Sequence, residues 1–330
     1  MHDYMVPPTD VSNVDLATVE WKTEYDVTST LSDMGHEIHS LGVQDDLGQI
    51  RQAIDKFKPH IAFNLMEAFH EIGAFDMNVV SYLELLRLAY TGCNPRGMML
   101  SRDKALSKQL MTYHRIPVPE FTVFRRGLAI KPPRRFKFPV IVKSLTQEAS
   151  IGIAQASVVE EEIKLRERVK FVHDSIGTDA IVERYIDGRE LYVGIIGNER
   201  LQVLPVWEME FGKMPESIHR IATDRVKWSV KYQKKHGIST SAADLPEATS
   251  EAIKRVAKRV YRTLNMSGYA RMDLRTDAEG RFFVLEANAN PQLAFGEDFA
   301  ESAERTGLRY DELLQRILNV GLKWRPEQAG

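Results

Sequence analysis

The 330 residues contain a single cysteine, Cys93, so no internal disulfide can form. That usage suits a reducing compartment, and a cytoplasmic location is the expectation. Also missing is any apolar run near the ~18 residues needed to cross a membrane. The opening Met1-His2-Asp3-Tyr4-Met5 has no basic stretch leading into an apolar one, so no signal peptide is expected. There is no excess of charge of one sign. With 44 basic and 46 acidic residues the formal charge is -2, which gives no reason to expect a nucleic-acid or membrane partner. No G-x-G-x-x-G follows an early strand, which argues against a nicotinamide enzyme, and no G-x-S-x-G offers a nucleophilic serine. The nine histidines are scattered, and His36 with His39 lacks further partners at zinc-ligand spacing. Cys93 follows Gly92 in a turn and reads as structural.

What is present is ordinary in bulk: 43% hydrophobic and 27% charged residues, in a chain long enough for two or three domains. Helical and strand-like stretches alternate over the first hundred residues. Helices are predicted at 21–34, 47–57 and 79–88, and strand-like segments at 36–43 and 60–65. This pattern points to a small parallel α/β domain over residues 1–100. Residues 1–8 are too short and too polar to make a good first strand. Downstream, Ser101 is placed to cap a helix reaching about Tyr113. A strand at 138–143 ends in Lys143, and a charged amphipathic helix is expected at 158–176. Strands follow at 180–184, 189–196 and 200–207. Ile253, Val256, Ala257, Val260, Tyr261 and Leu264 recur at helical spacing, and a final helix is expected at 310–320. The later two thirds read as α+β with antiparallel sheet, divided into 101–187 and 188–330.

The most informative stretch is Gly268 to Pro291. Side chains alternate faces along a strand, so Arg271 and Asp273 share a face of their strand, and Glu286 and Asn288 likewise share a face of theirs. A hairpin symmetric about Glu279-Gly280 sets Asp273 opposite Glu286 and Arg271 opposite Asn288. Two facing carboxylates repel unless a cation lies between them, and hard oxygen ligands beside phosphates are how Mg²⁺ is usually held. The competing reading is a solvent-facing hairpin with chance charges. The otherwise apolar strands and the irregular exit Asn288-Ala289-Asn290-Pro291 weigh against it.

These residues resemble the D-alanine–D-alanine ligase branch of the ATP-grasp superfamily, whose R-x-D strand is followed by L-E-x-N-x-x-P. Here the motifs read Arg271-Met272-Asp273 and Leu285-Glu286-Ala287-Asn288-Ala289-Asn290-Pro291. The resemblance spans about residues 60 to 320. It implies a Rossmann-like α/β N-terminal domain followed by two ATP-grasp subdomains with antiparallel sheets. It also implies ATP and Mg²⁺ as cofactors and an acid and an amine as substrates. Asp273, Glu286 and Asn288 would bind magnesium, and Arg271 would steady the transferring phosphoryl group and the oxyanion that follows. Thr91-Gly92 followed by Ser101-Arg102-Asp103-Lys104 is similar to T-G…S-x-D-K, and Phe138 to Lys143 is similar to the F-P-x-x-V-K strand. Both lysines would touch phosphates. Glu183 and the backbone of Arg184 and Ile186 would meet the adenine edge, and Glu190 the ribose. Either Lys227, with Trp228, or Lys231, with Tyr232, would cap the phosphates from a mobile loop. The loop Gln147-Glu148-Ala149-Ser150-Ile151-Gly152 stands where the family has E-G-S-S-V-G, with Ser150 retained and Ala149 in place of a serine.

Departures concentrate on the substrate side. The family's first strand and its early substrate-binding glutamate have no clear counterpart. The strand is absent or the start of the chain is misplaced. The histidine after the second N-terminal strand is replaced near Asn64 to Glu67. Where the ligases place Gly and later Ser-Leu to hold a carboxylate, this chain has Gln292 and Glu297-Asp298. Acidic residues there should repel an acid and attract a cation, unless both point into solvent. The expectation is an ATP-dependent carboxylate–amine ligase with a substrate pair other than D-alanine. By family analogy it would be a homodimer. The alternative is a non-catalytic ATP-binding regulatory module, against which the complete Arg271, Asp273, Glu286 and Asn288 set argues.

Overall fold

A computed structural model describes residues 1–16, 18–133, 137–147, 150–215 and 218–325, without the side chains of Asp224 and Trp228. The N-terminal part carries α1 (Lys22–Asp33), α2 (Gly48–Phe57) and α3 (Asp76–Leu85). These fall close to the predicted helices. The two predicted strands do not form a ladder. Among the described residues, that region has one parallel bridge, Ala62 to Tyr90, with Phe69 and Ile72 bridged locally. Ala62 N–H donates to the Ala89 carbonyl and Thr91 N–H to that of Ala62. The segment near 41–43 runs beside the start of the chain, where Val43 N–H donates to the Met1 carbonyl.

Next come α4 (Pro95–Arg102) and α5 (Lys104–Tyr113). The helix end at Tyr113 is as predicted, but the cap is not Ser101. Ser101 is buried inside α4, and Asp103 caps α5 by accepting from Ala105 and Leu106 N–H. A carboxylate capping two orphan amides at a helix start is the stronger arrangement.

Two antiparallel sheets follow. The first orders β1 (Phe121–Phe124), β4 (Ala180–Arg184), β2 (Val140–Ser144) and β3 (Val158–Val159). The helix expected over 158–176 is shorter at its start. Val158 and Val159 pair with β2, α6 (Glu162–Phe171) begins afterwards, and one π turn carries it to Ile176. Valines prefer the pleated, buried environment of a strand. The second sheet contains β5 (Glu190–Ile196), β6 (Gln202–Glu210), β7 (Ser239–Ala242), β8 (Tyr269–Thr276) and β9 (Phe282–Asn288), in the order β7-β6-β5-β8-β9. Between β6 and β7 lie two short helices, α7 (Asp224–Trp228) and α8 (Val230–His236).

One face of this sheet is covered by α9 (Glu247–Thr263), which buries Ile253, Val256, Ala257, Val260 and Tyr261. Each large apolar side chain so buried stabilises by roughly 1.5–3 kcal/mol relative to exposure. The other face receives α10 (Asp298–Glu304) and α11 (Tyr310–Gly321), with Phe299, Leu313 and Ile317 in one cluster with Ile196, Leu204 and Tyr269. Gly268, at φ +70°, opens β8 where the Thr91-Gly92 turn packs against it. A Cβ at that position would lie 2.0 Å from the Gly92 carbonyl oxygen, so only glycine fits. Cys93 is fully buried beside this contact, and burial pushes its thiol up to about 12. It is therefore a packing residue and not a nucleophile.

Candidate active site

The β8–β9 hairpin pairs Asp273 with Glu286 and Arg271 with Asn288. The register is the one predicted, but its origin differs. The turn is centred on Glu279, pairing Thr276 with Phe282, and a bulge between Asp273 and Leu274 then leaves Leu285 as an extra residue on β9. Without that bulge Asp273 would face Leu285, and the two acids would lie on opposite faces.

Arg271 and Asp273 share a face and bind each other in bidentate fashion, at 2.8 Å from Nε to Oδ1 and 2.9 Å from NH2 to Oδ2. The Arg271 guanidinium also lies 4.5 Å from the Tyr192 ring centre and 3.9 Å from Asp298. Tyr192, opposite Asp273 on β5, donates its hydroxyl to Glu190 at 3.0 Å. Asn288 accepts from Asn290 N–H through Oδ1 at 2.9 Å.

Between the two sheets is a cleft lined by Lys104, Lys143, Ser150, Glu183, Arg184, Ile186, Glu190, Lys227, Asp273 and Glu286. Ten of the residues singled out from sequence thus face one space. Lys104 ends 3.7 Å from Glu286 and donates to the Gln147 carbonyl at 2.6 Å. Lys143 projects from β2 and donates to Glu183 Oε2 at 3.1 Å. The Glu183 carboxylate is fully buried, and its other oxygen lies 3.1 Å from Lys108. Arg184 stacks over Phe283 at 4.7 Å, and its N–H donates to the Glu120 carbonyl. Ser150 has φ +63° and its hydroxyl donates to the Ala222 carbonyl at 2.7 Å, which ties the loop after β2 to the segment before α7. Glu148 and Ala149 of that loop lie outside the described residues. Of the two candidate capping lysines, Lys227 lines the cleft, while Lys231 is exposed on α8 and does not.

Electrostatics separate the facing acids. Burial raises Asp273, Arg271 opposes that, and the outcome is a carboxyl above its usual range. Burial would raise Glu286 too, but Lys104, Lys227, Lys143 and Lys108 outweigh it and hold it down to about 2. Glu297 is pushed up by burial and by Asp298 beside it. Glu297 and Asp298 are part-buried at the start of α10, and Asp298 faces Arg271. Neither they nor Arg271 and Asn288 line the lysine-rich cleft.

Sequence reasoning missed Lys108, Tyr192 and Arg275. Lys108 lies four residues after Lys104, on the same face of α5, and that spacing was the available signal. Arg275 lines the cleft 3.7 Å from Glu190 and donates to the Gly188 and Arg220 carbonyls. Among the described residues no group of three or more His, Cys, Asp and Glu side chains is placed to hold a metal. The candidate set here is two carboxylates with an amide.

The family described as D-ala D-ala ligase C-terminus matches residues 110–319, well over half of the chain. The chain belongs to the D-alanine–D-alanine ligase family. Similarity extends beyond that segment. An uncharacterized protein, y4sG, from Sinorhizobium fredii NGR234 is 32% identical over 303 residues, covering 89% of this chain and 85% of that protein. A D-alanine–D-alanine ligase from a Synechococcus strain is 30% identical over 305 residues, covering 89% and 86%. The structure of the Bacillus anthracis D-alanine–D-alanine ligase complexed with ATP superposes with a TM-score of 0.72 at 22% identity, covering 91% of each chain. That likeness shows a shared fold: the α+β arrangement of two antiparallel sheets is the ATP-grasp fold of this family. No helix among the described residues is long and apolar enough to cross a membrane.

Proposed function

We propose that this family member is an ATP-dependent ligase that joins a carboxylate to an amine. The observation that carries the reading is the convergence of Lys104 and Lys143 on the strand pair that sets Asp273 against Glu286. Two hard-oxygen donors face each other, and one of them is kept ionised to about pH 2. That chemistry fits a small divalent cation, with Asn288 on the same strand as a third oxygen donor. Bound Mg²⁺ would neutralise phosphate charge.

In the proposed reaction the substrate carboxylate displaces ADP from the γ-phosphorus of ATP, forming an acyl phosphate. The amine then displaces inorganic phosphate, forming an amide and releasing a proton. Lys104, Lys143 and Lys227 hold the triphosphate as compact point charges, which need no special geometry. Glu183 and the backbone of Arg184 and Ile186 are assigned to the base, and Glu190 to the ribose. Arg271, locked by Asp273 and the Tyr192 ring, presents a fixed cation to the oxyanion of the second step. The Ser150–Ala222 contact closes the loop that keeps water from the acyl phosphate.

The acidic start of α10 sets the substrate pair apart. Glu297 and Asp298 repel a carboxylate and favour an amine substrate with a positive group near them. Homodimer assembly and a cytoplasmic location belong to the same proposal, the latter supported by the free, buried Cys93. The deciding experiment screens pairs of amino acids and small amines with Mg-ATP, follows phosphate release, and identifies the product by mass. ADP release only when an acid and an amine are both present is the expected result. Nucleotide binding with no ADP release for any pair defeats the proposal and leaves a binding module. Strong, specific ligation of D-alanine to D-alanine defeats the substrate assignment alone.

A further inference from the structure

Lys108 is a fully buried cation that the proposed mechanism does not use. Placing an ammonium group out of water costs several kcal/mol unless it is paired and hydrogen-bonded, so its retention on α5 calls for a reason beyond packing. Its Nζ lies 3.1 Å from Glu183 Oε1, while Lys143 holds Oε2 at the same distance. It also donates to the carbonyl of Leu285, the extra residue of the β9 bulge. One side chain therefore joins three elements: α5, the β4 strand that carries Glu183, and the bulge that sets the register of Glu286.

The charges decide what this does. At the inner end of the cleft Lys104, Lys108 and Lys143 stand against Glu183 and Glu286. Three positive groups face two negative ones. Without Lys108 the balance is two against two, and Lys143 becomes the cation that must neutralise Glu183. We infer that Lys108 is a positioning residue that balances Glu183, so that the charge of Lys143 stays available to a polyphosphate. The inference rests on the ATP reading proposed above, and it concerns a residue that touches neither nucleotide nor substrate in that reading.

The test compares dissociation constants for adenosine and ADP in the presence of Mg²⁺, measured by calorimetry. Their ratio cancels contacts to the base and sugar and reports phosphate recognition. Lys108→Met should lower the adenosine-to-ADP ratio at least about tenfold, as expected for one unit charge acting through partly screened protein. Glu183→Gln should raise the ratio, whatever it does to the base. The double variant removes both charges and should return the ratio near that of the unaltered chain. A merely structural Lys108 would weaken adenosine and ADP in parallel, leaving the ratio unmoved, and that result overturns the inference. Should Lys108→Met fail to fold, Glu183→Gln and the double variant decide by the same criterion. If the unaltered chain binds no ADP at all, the ATP reading falls and takes this inference with it. ADP binding with an unmoved ratio sinks this inference only.

Discussion

Glu24 is buried and Glu286 lines the open cleft, part-exposed, and the protein drives the two carboxylates in opposite directions. Glu24, on α1, is buried, and that burial together with the nearby Glu67 pushes it up to about 7. Glu286, on β9, is held down to about 2 because four lysines surround it. Burial acts upward on both, so the difference lies in the cations. The lysine-lined part of the cleft keeps an anion charged, while Asp273, on the Arg271 side, is raised by burial. The region of α1, Glu67 and the start of α10 is richer in acids than in cations: the Met1 ammonium acts on Glu24 without outweighing its burial, Lys22 is engaged by Asp26 and the Phe295 carbonyl, and Arg271 is shared between Asp273 and Asp298. The cation-rich cleft is the place proposed for phosphate, and the acid-rich region the place proposed for a positively charged group.

The largest expected effect breaks the cation-rich half at its centre. Glu286→Gln should lower ADP formation by roughly a thousandfold, the scale of removing a group that acts on transition-state charge. Asp273→Asn should do the same, because the bidentate partner that fixes Arg271 loses its charge. Turnover within tenfold of the unaltered enzyme in either variant, measured with a saturating substrate pair, would mean that these carboxylates are not the metal ligands. Next in size is Lys143→Met, expected to weaken ATP about a hundredfold, with Lys227→Met intermediate. Lys231→Met should change ATP affinity less than twofold, since Lys231 is exposed on α8. Equal effects at Lys227 and Lys231 would show that the loop before α8 moves far enough to bring both lysines in.

The acid-rich half is sharpened by exchanging its acids for the family's residues. Glu297→Ser with Asp298→Leu should lower kcat/KM for a cationic amine about tenfold and raise it for an amine bearing a carboxylate. The removal of Asp298 also takes one partner from Arg271, so kcat with a neutral amine serves as the control. A preference that stays the same for cationic and carboxylate-bearing amines would place both acids outside the substrate's reach.

How far the sequence disclosed these two halves follows from the range of the interactions that make them. Period-two alternation placed Asp273 and Glu286 on one face, and the pairing agrees. That agreement needed the bulge at Leu285, which no residue pattern announces and which compensates for a turn centred half a residue away. The C-terminal helix faces were legible because Ile253 to Tyr261 repeat at 3.6 residues and all are buried. The N-terminal strands were not, because apolar runs such as 60–65 have strand composition whether or not a neighbour pairs with them. Lys108 was overlooked because a lysine is normally a surface residue, and only the tertiary placement of Glu183 and Leu285 explains a fully buried one. The capping of α5 by Asp103 in place of Ser101 was a choice between two good caps two residues apart.

The smallest effect on catalysis, and the cleanest test of the contrast, is at Glu24. A carboxyl whose folded value lies above its unfolded value of 4.5 favours folding only while it is protonated. Its contribution is fully present below pH 4.5, declines as pH rises, and is lost above about 7. The loss approaches about 3 kcal/mol at alkaline pH, taking roughly 1.4 kcal/mol for each unit of separation. Glu286 has the opposite sign, with stability present above 4.5 and lost as pH falls toward 2. Glu24→Gln should therefore match the unaltered protein in denaturant melts near pH 4, gain on it steadily between pH 4.5 and 7, and hold a constant advantage above that. Glu286→Gln should show the reverse slope, separating from the unaltered protein only on the alkaline side of its acid limb. A Glu24→Gln difference independent of pH would show that this carboxyl reaches water or a cation in solution, and the acid-rich half would then lose its distinguishing feature.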